Sequence, residues 1–286
     1  MLNDNRNRNL SINVGGRLLD LSQPRVMGIL NVTPDSFYDG SRCPDADAVA
    51  QRVETLLDEG ADIIDVGGYS SRPGCDDVSV EEEKRRLSIG LEAIRRQSPQ
   101  TIISVDTFRA DVARWSVEEW GVNIINDISG GELDDNMYET VAQLQVPYVM
   151  MHMRGVPEKM MNPEYLRYED VVSDVLQYFS HKIDKLTLMG VNDIILDPGF
   201  GFSKSIEDNY RLLRHLDEFS RLGLPLLVGV SRKSLIYKLL DVTPAQSLNG
   251  TTALNVLALM GGAHILRVHD VRQAVEAVKL VTQTIR

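Results

Sequence analysis

Short apolar runs punctuate the chain at regular intervals, at residues 26–30, 63–66, 102–105, 123–125, 148–151, 194–196, 226–230 and 263–268. They are rich in Ile, Val and Leu and lack the strict alternation of a strand with one wet face. Fully buried parallel strands read this way. Between the runs, apolar residues take helical spacing. Val49, Val53, Leu56 and Leu57 share one helix face, and Val172, Val175, Leu176, Phe179, Ile183 and Leu186 share a longer one. Val271, Val275 and Val278 mark the last helix. Gly60, Gly121, Gly190 and Gly223 each fall just before the next apolar run, where a helix C-terminal cap belongs.

Eight strand–helix alternations in 286 residues predict an α/β fold, a single (β/α)8 TIM barrel. Ahead of it, Gly15-Gly16 between two short apolar stretches predicts a β-hairpin. The organisation is therefore a tail and hairpin over residues 1–24 and a barrel over residues 25–286. Connections from strand to helix are long after the first, second and fifth strands, at residues 31–44, 67–79 and 152–168. Long connections in a compact domain are functional or disordered, and these three belong to the C-terminal end of the barrel, where such folds keep their sites.

Composition adds little to the fold and more to the partners. The chain is 43% hydrophobic and 25% charged, as globular proteins are. A net charge of -11 argues against nucleic acid or an anionic membrane as partner. No apolar run approaches membrane-helix length, and the polar start MLNDNRNRNL lacks a signal core. Cys43 and Cys75 lie in polar loops without metal-ligand spacing, as free thiols in a reducing cytosol would. The expectation is a cytoplasmic protein.

The strand ends are polar. The first ends in Asn31, the second contains Asp65, and the third ends in Asp106. Asn126-Asp127 ends the fourth, Asp197 the sixth, and Ser231-Arg232-Lys233-Ser234 follows the seventh, while Arg267 and His269 mark the eighth. Any one buried acid is as readily explained by a salt bridge or helix cap. So many at matched positions must satisfy one another or a polar ligand. Asp106, Asn126 and Asp197 are acceptors suited to a flat heterocycle with several N–H donors, and Lys233 is a donor to a ring carbonyl or nitrogen. Arg267 and His269 suit phosphate, and Asn31 offers a neutral oxygen for Mg2+ held with a pyrophosphate. Gly199, Gly201 and Phe202 form a backbone-exposing loop with an aromatic wall.

The motifs, in order, are MGILNVTPDSF from Met27, GGYSSRPG from Gly67, SVDT from Ser104 and NDISGG from Asn126. MHMRG from Met151, LDPG from Leu196, GVSRKS from Gly229 and RVHD from Arg267 complete the set. Together they resemble the dihydropteroate synthases over roughly residues 25–285. The resemblance implies condensation of 6-hydroxymethyl-7,8-dihydropterin pyrophosphate with 4-aminobenzoate to 7,8-dihydropteroate and pyrophosphate, in folate biosynthesis. It implies a pterin site of Asp106, Asn126, Asp197, Gly201 and Lys233. It assigns Asn31, Arg72, Arg267 and His269 to the pyrophosphate, with Asn31 also on Mg2+. Ser71, Arg72, Pro73, Phe202, Lys233 and Ser234 would shape the aminobenzoate pocket. Asp39 would stabilise a pterin cation, and Arg72, Lys233, Arg267 and His269 would join it in catalysis. The resemblance also implies a homodimer and a family of sulfonamide targets, with residues 235–240 and 248–260 as the expected interface.

One loop departs from the family. It reads GGYSSRPG where the usual pattern is GGESTRPG, so Tyr69 replaces a glutamate and Ser71 a threonine. Tyr69 is expected to pack the loop, and His152 to brace the fifth one. No nucleophile–base pairing is visible. None is required if pyrophosphate departs before the neutral arylamine attacks. The competing readings are a pterin-binding methyltransferase using methyltetrahydrofolate and a non-catalytic binding protein on the same barrel. The first loop, the RPG loop and the Arg267/His269 pair favour the pyrophosphate substrate.

Overall fold

In a computed structural model, which describes residues 10–33, 46–69 and 78–285, each predicted run forms a strand. The hairpin is β1 (Ser11–Val14) and β2 (Arg17–Asp20). The barrel strands are β3 (Arg25–Asn31), β4 (Ile63–Gly67), β5 (Ile102–Asp106), β6 (Ile124–Asp127), β7 (Tyr148–Met151), β8 (Ile194–Asp197), β9 (Leu227–Val228) and β10 (Ile265–Val268). All barrel pairings are parallel, in the order β8-β7-β6-β5-β4-β3-β10-β9, and a Leu196–Leu226 bridge brings the two ends together. The helices among the described residues are α1 (Ala46–Asp58), α2 (Val80–Gln97), α3 (Ala110–Trp120), α4 (Met137–Leu144) and α5 (Val171–Leu188). They continue as α6 (Ile206–Arg214), α7 (Ser234–Tyr237), α8 (Leu248–Met260) and α9 (Val271–Ile285). None is long and apolar enough to cross a membrane.

The two-residue period of the strands decides where the polar side chains go. Val26 and Leu30 of β3, Ile64 and Val66 of β4, Ile103 and Val105 of β5, and Leu266 and Val268 of β10 face the helices in one large core. The alternate positions face the barrel axis. Near the N-terminal end these are Met27, Ile63, Ile124, Val149, Ile195, Leu227 and Ile265, a second, smaller core. Farther along the same strands most inward positions are polar or glycine, namely Asn31, Asp65, Gly67, Ser104, Asp106, Asn126, Asp197 and Arg267, with Ile29 and Met151 apolar among them. The barrel interior is thus apolar below and charged above.

The hairpin closes the apolar end. Gly15 and Gly16 have φ of 62° and 82°, the left-handed pair that a two-residue hairpin turn requires. Ile12, Val14 and Leu21 are buried against the inner cluster. Each such side chain contributes roughly 1.5–3 kcal/mol by leaving water.

Two expectations shift. The run at 226–230 pairs only over Leu227–Val228, because the chain leaves the ladder and turns at Arg232, a non-glycine residue with φ of 55°. On α9 the buried face is Val271, Ala274, Ala277 and Val281, with Val275 and Val278 at its edge. The alanines let the helix approach closely, which valine spacing alone does not reveal. The predicted caps hold: Gly121 has φ of 61°, and its N–H reaches back to the last turn of α3.

Candidate active site

Strand register brings the polar positions into one layer. Asn31 pairs with Gly67, Gly67 with Asp106, and Asp106 with Asn126, across β3 to β6. A Cβ at Gly67 would stand 3.4 Å from Asn31 Oδ1 and 3.9 Å from Asp106 Oδ2, so the glycine keeps space between the two acceptors.

Beneath this layer Asp65 is a buried hub. Its Oδ1 accepts from Ser104 Oγ at 2.6 Å. Its Oδ2 accepts from Arg267 Nε at 2.7 Å and from Asn126 Nδ2 at 3.1 Å. Arg267 Nη2 donates in turn to Asp106 Oδ2 at 2.7 Å. Arg267 is therefore held by two carboxylates, a geometry its guanidinium fork suits. Because Asn126 Nδ2 is turned down to Asp65, its Oδ1 is the acceptor presented upward. Burial pushes the Asp106 carboxyl up to about 7, with Arg267 pulling the other way.

Asp197 is buried opposite. Its Oδ1 accepts from Gly199 N at 2.8 Å. Burial raises its carboxyl above the usual range, and Lys233 offsets part of that cost. Lys233 is lowered to about 8 by its own burial, against the pull of Asp197. Its Nζ donates to Phe200 O at 2.5 Å and stands 4.6 Å over the Phe202 ring. Gly201, with φ of 80°, leaves room for the Lys233 stem, which a Cβ there would meet at 3.1 Å. Arg232, next to it, is committed to Asp270, and Ser234 opens α7.

His269 is held against Ser231. Ser231 Oγ accepts from His269 N at 3.2 Å and lies 3.0 Å from its Nδ1. A serine hydroxyl donating to Nδ1 leaves Nε2 carrying the ring proton. Burial lowers His269 to about 4, helped by Arg267 and Arg232, so the ring is neutral near pH 7 and offers one N–H.

The structure thus brings Asp106, Asn126 and Arg267 into one hydrogen-bonded set, flanks Gly67 with Asn31 and Asp106, and gathers Gly201, Phe202 and Lys233 beside the Asp197 loop. Asp39, Ser71, Arg72 and Pro73 lie outside the described residues. Asp127 follows the inward Asn126 and so points outward. It is used on the backbone of Ser129 and Gly131 and on the Tyr148 hydroxyl. Tyr69 packs edge-on against Phe108 at 5.1 Å, beneath the Arg109 guanidinium, and its hydroxyl reaches Glu158 Oε1 at 3.3 Å. His152 is buried beside the Asp197 loop, and its N–H donates to Asp197 O at 2.9 Å.

Three features have no assigned role in the sequence. Asp65 is visible there as the acid inside the second strand, and the strand period places it on the same inner face as Arg267 and Asn126. Ile128, Met151, Met153 and Met160 form an apolar shelf with Phe108 and Phe202, which has no signature beyond ordinary core residues. Lys204, the third, is buried among carbonyl oxygens. Among the described residues, no group of three or more His, Cys, Asp or Glu side chains converges as a metal site.

The chain matches the family described as "Pterin binding enzyme" over residues 27–269. It is 46% identical over 272 residues to the dihydropteroate synthase of Escherichia coli K12, covering 94% of this chain and 95% of that protein. The dihydropteroate synthase of Synechocystis is 43% identical, with 93% and 92% covered. A structure of Yersinia pestis dihydropteroate synthase with a sulfonamide drug superposes with a TM-score of 0.89 at 42% identity, covering 96% of this chain and 99% of that one. A Xanthomonas albilineans dihydropteroate synthase structure with 4-aminobenzoic acid gives a TM-score of 0.88 at 39% identity, over 97% and 99%. With these matches and the strand-end chemistry in register, the chain belongs to the dihydropteroate synthase family of pterin-binding transferases.

Proposed function

We infer that the chain condenses 6-hydroxymethyl-7,8-dihydropterin pyrophosphate with 4-aminobenzoate, giving 7,8-dihydropteroate and pyrophosphate for folate synthesis. The observation that carries this is the acceptor layer in the barrel mouth: Asp106, Asn126 Oδ1 and Asp197, faced by the Lys233 ammonium. Ionised carboxylates accept paired N–H donors from an amino-pyrimidinone edge, and Lys233 donates to the ring's own acceptor. Relatives solved with 4-aminobenzoic acid and with 7,8-dihydropteroate support the same pair of substrate and product here. The methyltransferase alternative finds no separate support.

The bond from the pterin methylene to pyrophosphate oxygen breaks first, and the electron pair leaves with the pyrophosphate. The pterin ring spreads the positive charge that remains. The neutral amine nitrogen of aminobenzoate then attacks the methylene carbon and loses one proton. No covalent enzyme intermediate is needed, so the residues position and stabilise. Asp106, Asn126, Asp197 and Lys233 orient the ring, with Gly201 against it. The His269 Nε2–H and the Arg267 charge face the departing anion. The family resemblance would add Asp39 for the cation and Arg72 for the anion, both outside the described residues. Phe202 and Ser234 face the aminobenzoate, and by the same resemblance Ser71 and Pro73, also outside the described residues, would join them.

Asn31 offers a half-buried amide oxygen at the mouth, which suits a Mg2+ that keeps waters and takes most of its ligands from substrate phosphate. When bound there, Mg2+ supplies charge neutralisation of the pyrophosphate. The assembly is a homodimer through residues 235–240 and α8, where Leu239 and Leu240, in the turn after α7, and Leu257 and Met260 of α8 are 59%, 51%, 53% and 39% exposed. The working compartment is the cytoplasm, in keeping with the absence of metal spacing around its two cysteines. Calorimetry with the pterin pyrophosphate tests the site: Lys233→Ala and Asp197→Ala should abolish binding, and wild-type affinity in either would reject the assignment.

A further inference from the structure

The loop that carries Gly201 and Phe202 is held from behind by a lysine outside the substrate set. Lys204 is 2% exposed. Its Nζ stands 2.9 Å from His152 Nδ1 and 3.2 Å from His152 O. It also donates to Gly199 O and to Phe202 O, each at 3.1 Å. From the other side, Lys233 Nζ donates to Phe200 O. Two lysine side chains therefore take the carbonyls of residues 199, 200 and 202. The loop needs this help because its backbone is unusual. Gly199 and Ser203 have φ of 71° and 44°, and a Cβ on Gly199 would stand 2.1 Å from His152 O.

Burial lowers Lys204 to about 7, because holding its amine charged among neutral carbonyls and an imidazole is costly. A leucine or methionine would fill the same volume without that cost. The carboxylates that attract it are Asp197, which also attracts Lys233, and Asp208. The two lysines differ in what they face. Lys233 lies over the Phe202 ring in the mouth, where the proposed pterin sits, and a donor drawn to the ligand gives up part of its bond to Phe200 O. Lys204 is buried, and its Nζ is occupied by His152, Gly199 and Phe202, so it is free of that competition.

We propose that Lys204 is a positioning residue: it holds residues 199–202 in the shape that presents Gly201 to the pterin and Phe202 to the aminobenzoate, whether or not Lys233 is engaged by substrate. This rests on the reaction proposed above. A role in the fold alone would weaken the whole barrel and move both substrates together. A positioning role is local and falls mainly on aminobenzoate, the substrate that meets the Phe202 wall.

The test is Lys204→Met in the full chain, read by hydrogen–deuterium exchange of the peptide spanning residues 197–204 and by steady-state kinetics. The expected result is loop exchange faster by about tenfold with the other barrel strands unchanged, and a 4-aminobenzoate KM raised about tenfold with kcat lowered less than about threefold. Wild-type loop exchange, or equal losses for both substrates with exchange faster throughout the barrel, overturns the proposal. If Lys204→Met does not fold, Lys204→Ala with added propylammonium replaces it. Dose-dependent return of slow loop exchange supports the role, and no return overturns it. Loop exchange is read without turnover, so its failure is separate from failure of the proposed reaction, which shows as an inactive wild type.

Discussion

Arg267 Nε and Asp65 Oδ2 meet at 2.7 Å inside the barrel, joining β10 to β4 over the intervening β3. Asp65 is fully buried and also takes Ser104 and Asn126. One carboxylate therefore fixes the direction of a cation and of an amide, both in the proposed substrate site.

Asp65→Ala leaves the Arg267 charge short of a partner and the Asn126 amide without its acceptor. Removing one side of a buried pair typically costs about 3–5 kcal/mol. Urea denaturation should show a loss of that size, and calorimetry should show weaker pterin binding, because Asn126 is free to turn. A variant with wild-type stability and wild-type pterin affinity would show that Asp65 is a bystander.

The Asp106 carboxyl gives a pH signature. Its folded pKa, pushed up to about 7 by burial, lies above the unfolded value of about 3.9. The folded state therefore binds the extra proton between these values. Its contribution to stability is full below about pH 4 and is lost as pH rises through about 7. Pterin binding has the opposite sign, since the ionised form is the better acceptor: affinity should rise toward pH 7 and level off above it. Both slopes should shrink in Asp106→Asn, measured by urea titration and calorimetry across that range. Identical pH profiles in variant and wild type would remove Asp106 from the account.

The hairpin should matter for stability and not for chemistry. Ile12 is 1% exposed and plugs the end of the barrel opposite the charged layer. Ile12→Ala should cost about 2–5 kcal/mol in denaturant unfolding. The KM for either substrate should stay at its wild-type value, and a raised KM would mean that the plug and the site are coupled.

Much of this architecture was legible in the chain. The runs at 63–66 and 148–151 fall on β4 and β7, and Gly15-Gly16 turns the hairpin where expected. The strand ends Asp106, Asn126 and Asp197 lie inside because each follows an outward-facing apolar residue. What stayed hidden depends on pairing across the fold. Arg267 reads as a free phosphate donor in sequence, and only the closed barrel shows it between Asp65 and Asp106. Lys204 carries no signal in the sequence, since nothing local announces the His152 carbonyl it meets in the fold. Leu226–Val230 is apolar throughout, so hydrophobicity could not mark where pairing stops at Val228. Asp39, Ser71, Arg72 and Pro73 lie outside the described residues.

The central claim is tested most directly by turnover. Purified chain is mixed with 6-hydroxymethyl-7,8-dihydropterin pyrophosphate, 4-aminobenzoate and Mg2+, and pyrophosphate and dihydropteroate are followed together. The account predicts that both appear in equal amounts and that the Lys233→Ala chain makes neither. No dihydropteroate, under conditions where the Escherichia coli enzyme forms it, would contradict the account.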